Sequence, residues 1–460
     1  VCVDGDTIYV ANGVYKENLV INTALSLIGS SMDSTVIDGT GLNDMTVTFN
    51  VSGLIDNFKI IGKGEDFLTS RAVRSTDLAS LLNISNCRIS QSGVGVSMVS
   101  GDVEANNLII TNVTRGLNLF GNISNTIRNS SILLEISNAI GISIGFAPSV
   151  EHYLYNNIIL YTGSIFDNPR EGISIAVPRK VYINNNLISG FGDNIWTDDP
   201  IDTIFIKNNI LINQNSFSSI TGSISGNNDI IVANNLILSK NKQGINGDLQ
   251  VKSNYNLFWQ NQINLQGVTM GDSDIVVDPM FVKDTIPTGN GNYDFHLQKY
   301  SPAIDKGNPN VLDLDGTRSD IGLYGGPFGE TYTYQDLAPL APRNLSAVID
   351  SNNMIVRWNR NTETDTSYYK VYRDTVSGFT IDSTKLVSTS ADTFFVQPNP
   401  HINTRYVYKV TCVDNQGNES LPSAEIVLDI TSLADDEYPM TISDYLLYQN
   451  YPNPFNPSTK

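Results

Sequence analysis

Short runs of Ile, Leu and Val alternate with clusters of Asn, Ser and Gly over the first three-fifths of the chain. The runs have the length of β-strands, and the alternation of apolar and polar positions within them is typical of strands with one buried face. The runs belong to a repeated phrase, for example VEANNLIIT, VYINNNLIS and VANNLILS. Its copies can be anchored on their second asparagine, at Asn107, Asn157, Asn186, Asn209, Asn235 and Asn256. The pattern predicts a repeat protein built from strands.

The spacing of these anchors indicates the kind of repeat. A degenerate copy around Asn129 fills the longest gap, so the 149 residues from Asn107 to Asn256 contain six steps of about 25 residues. Earlier copies surround Asn57 and Asn86. A strand-based period of this length excludes tetratricopeptide and ankyrin arrays, and leucine-rich repeats keep a stricter leucine framework. We therefore predict an all-β fold that begins with a right-handed parallel β-helix solenoid, each turn being a coil of three short strands.

Two properties of asparagine explain its abundance under this prediction. Its side chain tolerates left-handed backbone geometry, which a sharp bend between two strands requires. Stacked Asn amides can also hydrogen-bond to the coils above and below them. With roughly ten coils at a spacing of ~4.8 Å, the solenoid would be on the order of 50 Å long.

The start of the chain resembles a known class of β-helix proteins. The segment DTIYVANGVYKENLVI, with Gly13, Tyr15 and Glu17, resembles the first coils of right-handed β-helix families such as pectin methylesterases, in the pectin-lyase-like superfamily. This resemblance implies a fold rather than a chemistry, because the later Gln, Asp and Arg-Pro-Trp motifs of the esterases have no counterpart here. We predict that the β-helix spans residues 1–277.

Three further segments follow the predicted solenoid. Residues 278–327 contain SPAIDKG and DGTRSDIGLYGG and resemble a module that closes bacterial β-helices, which we expect to cap the open end of the apolar column. Residues 328–341 are predicted to be a linker. Residues 342–430 resemble a fibronectin type III β-sandwich, with Trp358 as its core tryptophan and Tyr406 at its tyrosine corner.

The last segment, 431–460, is predicted to be a linker followed by a truncated secretion signal. Its string YPNPFNP resembles the opening of the C-terminal sorting signal of type IX secretion. The resemblance implies that the type IX machinery is a partner, and that the protein lies outside a Gram-negative cell or on its outer-membrane surface. A Pro-rich disordered tail is the alternative interpretation.

Charge and composition narrow the class of partner. Lys and Arg number 28 against 47 Asp and Glu, which gives a net charge of −19. Nucleic-acid binding is disfavoured, because neutralising phosphates needs clustered cations. No apolar run approaches the ~18 residues of a transmembrane segment, and the three distant cysteines form neither a disulfide framework nor a zinc site.

Two loops one coil apart, between residues 161 and 202, are the best candidates for ligand contact. They combine aromatic, acidic and basic side chains, and sugars stack on aromatic rings while carboxylates accept their hydroxyl groups. Turn formation is the simpler interpretation of the Asp-Asp-Pro sequence. We predict a glycan-binding groove formed by Tyr161, Phe166, Arg170, Asp193, Trp196, Asp198 and Asp199.

A calcium loop is a second candidate site. Asp313, Asp315 and Asp320 in DLDGTRSD have a suggestive spacing, although the full twelve-residue set of ligands is missing. The alternative is an Asp-Gly turn in which Arg318 pairs with a neighbouring carboxylate. Ca²⁺ is the one cofactor that the sequence suggests.

Three functions remain open at this stage. The first is a secreted or surface-displayed protein whose solenoid binds a polysaccharide or cell-surface glycan. The second is an extracellular polysaccharide lyase or glycoside hydrolase acting on acidic, pectin-like glycans, for which no catalytic motif is recognisable. The third is a structural or adhesive scaffold. The fold alone cannot decide between them.

Overall fold

The computed structural model describes residues 2–43, 45–64, 69–76, 81–99, 101–120, 124–145, 147–164, 168–176, 178–198, 202–213, 217–223, 229–240, 242–247, 250–285, 287, 292–350 and 352–430. Every regular element in these ranges is a β-strand. The described part of the chain has no helix that could cross a membrane. The predicted all-β fold, a parallel solenoid followed by a β-sandwich, is confirmed.

The first half of the solenoid contains fourteen strands. They are β1 (Thr7–Val10), β2 (Gly13–Tyr15), β3 (Leu19–Ile21), β4 (Ser26–Gly29), β5 (Thr35–Asp38), β6 (Met45–Phe49), β7 (Gly53–Asp56), β8 (Lys59–Ile61), β9 (Arg71–Ser75), β10 (Leu81–Met98), β11 (Asp102–Leu119), β12 (Asn125–Arg128), β13 (Ser131–Leu134) and β14 (Ile140–Ile144).

The second half contains sixteen strands. They are β15 (Ala147–Tyr155), β16 (Ile158–Tyr161), β17 (Glu171–Ala176), β18 (Pro178–Asn184), β19 (Leu187–Ser189), β20 (Asp193–Asp198), β21 (Ile204–Lys207), β22 (Ile210–Asn213), β23 (Ser218–Ser223), β24 (Ile230–Ala233), β25 (Leu236–Ser239), β26 (Gln243–Asn246), β27 (Val251–Asn254), β28 (Leu257–Trp259), β29 (Ile263–Gln266) and β30 (Ile275–Val276).

These strands stack into three parallel ladders over about ten turns. Ladder one contains β1, β4, β7, β10, β11, β12, β15, β18, β21, β24 and β27. Ladder two contains β2, β5, β8, β10, β11, β13, β16, β19, β22, β25, β28 and β30. Ladder three contains β3, β6, β9, β10, β11, β14, β17, β20, β23, β26 and β29. The long strands β10 and β11 each run through all three ladders.

Aliphatic side chains fill the interior in rows that follow the parallel register. Because successive side chains of a strand point to opposite faces, every second residue of each rung points inward. One fully or almost fully buried row in ladder one runs through Ile55, Ile84, Ala105, Ile127, Leu154, Ile183, Ile206 and Val232. No single turn could bury such a row alone, so the turns are stable only as a stack.

The bend from ladder one to ladder two is made by asparagine in left-handed geometry. Positive φ angles of 50° to 67° occur at Asn57, Asn86, Asn107, Asn129, Asn156, Asn185, Asn208 and Asn234. The predicted conformational role of asparagine is thereby confirmed. The sequence anchors merged two positions, however, because Asn107 is a bend residue whereas Asn157 and the later anchors directly follow the bend.

The residues that follow the bend form a buried asparagine ladder. Each carboxamide nitrogen donates to the side-chain oxygen one turn on, at 2.9–3.0 Å, in the series Asn157, Asn186, Asn209, Asn235, Asn256 and Asp274. Each accepting oxygen also receives the backbone N–H of the preceding member, at 2.8–3.0 Å. The series ends at Asp274, whose carboxylate only accepts and so leaves no donor unpaired at the end.

The module after the solenoid packs along its side. Strands β31 (Phe281–Lys283) and β32 (Asp294–Leu297) are antiparallel, and Phe295 and Ile321 pack on Leu187, Ile210 and neighbouring residues of ladder two. The amide of Asn185 donates to two carbonyl oxygens of the module, at Leu323 and Gly325. These contacts cover the flank of ladder two, whereas the sequence led us to expect a cap over the open end of the column.

Residues 338–430 form a second compact unit with seven antiparallel strands. One sheet contains β33 (Ser346–Asp350), β34 (Asn353–Arg357) and β37 (Phe394–Pro398), and the other contains β35 (Thr366–Asp374), β36 (Leu386–Ser390), β38 (Thr404–Asp414) and β39 (Ile426–Ile430). Trp358 is buried against Tyr369, and the Tyr406 hydroxyl accepts the His401 N–H at 2.9 Å. This is the sandwich with core tryptophan and tyrosine corner that the sequence predicts.

Candidate functional site

Most of the described residues predicted to bind glycan lie on or beside ladder three. Asp193, Trp196 and Asp198 share strand β20, and Trp196 stands between the small side chains of Ser174 and Thr221 on the adjacent turns. Arg170 precedes β17. Two further predicted residues, Phe166 and Asp199, lie outside the described residues.

Tyr161 does not belong to this surface. Its side chain is 5% exposed and packs in the interior cluster, with its ring 6.0 Å from that of Phe191. It ends strand β16, where the side chain turns inward beside the bend rather than outward to solvent. Its predicted role in sugar stacking is therefore wrong.

Two carboxyl groups meet at the start of ladder three. Glu171 and Asp193 are in register on adjacent turns, and the Arg170 guanidinium lies 3.1 Å from Glu171. Burial raises the pKa of Glu171, and burial likewise raises the pKa of Asp193. The Asp193 carboxylate accepts the Thr221 hydroxyl at 2.6 Å, so its partner is a neighbouring side chain of the fold.

The predicted calcium ligands have hydrogen-bond donors of their own. Asp313 accepts the N–H groups of Gly326 and Asp320, and Asp315 accepts both the backbone N–H and the hydroxyl of Thr317 in a local turn. Burial raises the pKa of Asp320 to about 6. Within the described ranges, no group of three or more acidic, His or Cys side chains is arranged to hold a metal ion.

The alternative prediction for the DLDGTRSD segment, an ion pair between Arg318 and a neighbouring carboxylate, is also wrong. Arg318 pairs with no carboxylate of the part of the chain that the structure describes. Its guanidinium donates to the carbonyl oxygens of Gly307, at 2.6 Å, and Lys306, at 3.3 Å. It therefore closes the turn through the backbone.

Two neighbouring cavities that the sequence did not predict lie beside the bend between ladders one and two. The first, on the outer face of ladder one, encloses about 380 Å³ and is lined by Asn83, Ser85, Glu104, Asn106, Thr126, Arg128 and Tyr155, among others. The second, against the flanking module, encloses about 430 Å³ and is lined by Asn129, Asn156, Tyr293, Tyr324, Phe328 and Glu330, among others. We call these two cavities together the corner groove, with the first cavity as its first part and the second as its second part.

An aromatic pair stands between the two parts of the corner groove. The rings of Tyr155 and Phe328 stack with centroids 5.0 Å apart and an interplanar angle of 28°. Phe328 is 43% exposed, so much of its ring remains accessible to a ligand. An accessible aromatic ring beside polar groups is the usual platform for a sugar ring.

Several polar groups of the corner groove have no partner among the described residues. The side chains of Glu104 and Arg128 form no ion pair or hydrogen bond with any described residue, and the Tyr155 hydroxyl has none either. Exposed groups of this kind exchange their water for the hydroxyl groups of a ligand at little cost. The first part of the groove thus offers a bound molecule the Arg128 guanidinium as a donor, the Glu104 carboxylate as an acceptor and the Tyr155 hydroxyl as either.

The bend asparagines single out the same place. From Asn86 to Asn234, all bend amides but one bond to a neighbouring turn or to the flanking module, for instance Asn129 to Asn106 and Asn208 to Ser319. The one that does not is Asn156, whose amide bonds to no described residue. This open amide faces the second part of the corner groove.

A neighbouring aromatic stack cannot serve the same purpose. On the outer face of ladder one, Tyr153, Tyr182 and Phe205 lie 5.0 Å apart with interplanar angles of 2° and 6°. Tyr182 has both ring faces covered by its neighbours, and the Lys207 ammonium lies 5.0 Å from the centre of the Phe205 ring. Stacking within the row therefore occupies ring faces that a sugar would need.

Comparisons with known proteins find similarity to solved structures over about a quarter of this chain. No protein-family model matches this chain, and no curated protein matches it. An Fn3-like protein from Clostridium thermocellum is 31% identical, over 23% of this chain and 99% of its own, with a TM-score of 0.18. The FN1–FN3 domains of chicken CNTN1 are 24% identical, over 24% of this chain and 37% of their own, with a TM-score of 0.18.

A third similar structure is the spore cortex lytic enzyme SleM of Clostridium perfringens. It is 22% identical, over 25% of this chain and 35% of its own, with a TM-score of 0.17. The chain spans little more than a third of this enzyme and of the CNTN1 domains. The fold therefore rests on the strand pairings described above, namely a parallel β-solenoid followed by a fibronectin-like sandwich.

Proposed function

We propose that this protein binds a polysaccharide or cell-surface glycan, and that the corner groove is its binding site. One observation carries the proposal: the accessible ring of Phe328 lines the same corner groove as an amide, a guanidinium and a carboxylate that bond to no described residue. A sugar has an apolar ring face, which can stack on Phe328, and a rim of hydroxyl groups, which can bond to the polar side chains.

The shape and charge of the groove support a glycan over other polymers. The two parts adjoin where Arg128 and Tyr155 of the first precede Asn129 and Asn156 of the second, so an extended chain can reach both, and the side chains of the groove include both signs of charge. A nucleic acid would need a run of cations, which a chain with a net charge of −19 does not supply.

Export from the cell belongs to the same proposal. The string YPNPFNP, which lies outside the described residues, resembles the start of a type IX sorting signal, and an exported protein meets glycans at the cell surface or beyond it. We expect that replacing this string with alternating Ala and Ser keeps the native protein inside the producing cell. Fractionation of cells, outer membranes and medium checks this, and unchanged fractions would contradict export by this route.

Substitutions of Asn156 and Phe328, which both line the corner groove, test the binding site. Replacing Asn156 with Gly keeps the left-handed backbone, which glycine adopts readily, and removes only the amide. We expect Asn156→Gly and Phe328→Ala each to weaken glycan affinity about tenfold, the loss of one good hydrogen bond or stacking contact. Calorimetric titration with pectin, polygalacturonate and alginate oligosaccharides measures the change.

Matched variants make this test specific. Asn57 occupies the same bend position four turns before Asn156 and has the same left-handed backbone geometry. It lines neither part of the corner groove, so Asn57→Gly is expected to leave the affinity unchanged. Trp196→Ala tests the surface of ladder three that the sequence favoured. Loss of affinity in Trp196→Ala, with full affinity in Asn156→Gly and Phe328→Ala, would contradict the proposed site. Reducing ends and unsaturated products, measured in the same mixtures, report whether the bound glycan is also cleaved.

A further inference from the structure

The segment from Phe328 to Gln335, predicted to be part of a linker, is docked onto the module that flanks ladder two. Gln335 pairs with Gln298, and the Tyr332 hydroxyl accepts the Leu297 N–H at 3.1 Å. Phe328 and Glu330 of this segment line the corner groove. We call residues 328–335 the strap, and its position decides whether one wall of the groove is complete.

His296 holds the strap through an arrangement that involves both ring nitrogens. Its Nδ1 lies 2.6 Å from the Asp294 carboxylate, and its Nε2 lies 2.7 Å from the Glu330 carboxylate. The imidazole also stacks on the ring of Tyr324, with centroids 4.0 Å apart and an interplanar angle of 9°. The ring therefore connects its own strand, β32, to the strap and to a residue that lines the groove.

The chemistry of imidazole makes this connection depend on protonation. A carboxylate only accepts hydrogen bonds, so both contacts need an N–H, and only the protonated ring has two. The Asp294 oxygen that faces Nδ1 also accepts the His296 backbone N–H at 3.1 Å, which fixes that partner locally. The neutral ring therefore keeps its hydrogen on Nδ1 and turns a lone pair toward Glu330.

We propose that His296 is the positioning residue of the corner groove, and that its protonated form holds the strap in the conformation that binds glycan. This inference rests on the proposed function. When the ring loses its second proton, Glu330 loses its donor, and the wall formed by Phe328 and Glu330 loosens. Glycan affinity is therefore higher in mildly acidic than in alkaline solution.

The other groups that face the His296 ring do not account for the proposed dependence on pH. Tyr324 and Tyr332 pack against the imidazole, and burial raises the pKa of both phenols, so both remain neutral and contribute no charge to this cluster. The charged partners are Asp294 on β32 and Glu330 on the strap. The change in charge at this cluster therefore belongs to His296.

The first experiment follows the strap without any glycan. Hydrogen–deuterium exchange of the full chain, corrected for the intrinsic effect of pH, is measured at about pH 5.5 and about pH 8. The Glu330 N–H donates to the Tyr324 carbonyl at 3.1 Å, so it reports docking of the strap directly. We expect about tenfold faster exchange at the higher pH in the wild type, and fast exchange at both pH values in His296→Gln.

The second experiment measures affinity for polygalacturonate oligosaccharides over the same pH range. We expect the wild type to bind about tenfold more weakly at the higher pH and His296→Gln to bind weakly throughout. His401 lies in the second unit and serves as the matched control, so His401→Gln is expected to behave like the wild type.

The two experiments separate the two proposals. Exchange and affinity that do not change with pH in the wild type, or a His296→Gln variant that matches it in both, would overturn the role of His296 and leave glycan binding intact. A wild type whose strap responds to pH as expected, but which binds no glycan at either pH, supports the strap mechanism and contradicts the proposed function.

Discussion

Replacing Asn209 with leucine is expected to lower the free energy of unfolding of the solenoid by about 3 kcal/mol, the cost of stranding buried polar groups. Asn209 lies in the middle of the asparagine ladder and is fully buried. Its oxygen accepts both the backbone N–H and the carboxamide of Asn186, and its nitrogen donates to Asn235 and to the Ile183 carbonyl. Leucine has nearly the same size but satisfies none of these groups.

A control substitution distinguishes the stability that the asparagine ladder contributes from the general cost of replacing an asparagine. Asn246 lies on the outer side of strand β26, and its side chain bonds to no described residue, so Asn246→Leu is expected to change stability by less than about 0.5 kcal/mol. Urea unfolding of the full chain, followed by circular dichroism, measures both variants. Equal midpoints for the two would show that the ladder contributes no stability.

Acidification is expected to destabilise the solenoid through His152. The side chain is fully buried on β15, with Nδ1 3.1 Å from the Asn125 amide and Nε2 without a partner in the described structure. Burial lowers its pKa to about 4, against about 6.5 in an unfolded chain. The unfolded state therefore takes up a proton first as the pH falls. Stability present above about pH 6.5 is lost down to about pH 4, by up to about 3 kcal/mol.

A neutral replacement checks this expectation. His152→Gln removes the titrating ring and keeps an amide that can bond to Asn125, so its stability is expected to change less between about pH 7 and pH 4.5. His401→Gln is the control, because that residue is exposed. The measurement is the urea midpoint at each pH. An equally steep loss in His152→Gln would assign the acid sensitivity to other groups.

The repeat and its bends could be predicted because each turn repeats one local requirement. Left-handed geometry at Asn57 or Asn234 is a property of a single residue, and inward aliphatic positions follow the two-residue period of a strand. The stacking of amides was also predictable in kind. The end of the ladder at Asp274 was not predictable, because Asp274 lies in a segment that lacks the repeated phrase and meets Asn256 only in the folded chain.

The corner groove could not be predicted, because it depends on contacts between distant parts of the chain. Tyr155 lies inside an ordinary copy of the repeat, and Phe328 lies 173 positions later in a segment that resembled a linker. Only docking of the strap brings the two rings together. Tyr161 shows the converse, because its loop sequence suggested exposure while the turn of the strand places it in the interior.

A crystal structure of the full chain with a bound polygalacturonate oligosaccharide tests the central claim most directly. We expect sugar density in the corner groove, with a ring against Phe328 and hydroxyl groups near Asn156 and Arg128. Density over Trp196 on ladder three, with the corner groove empty, would contradict the account.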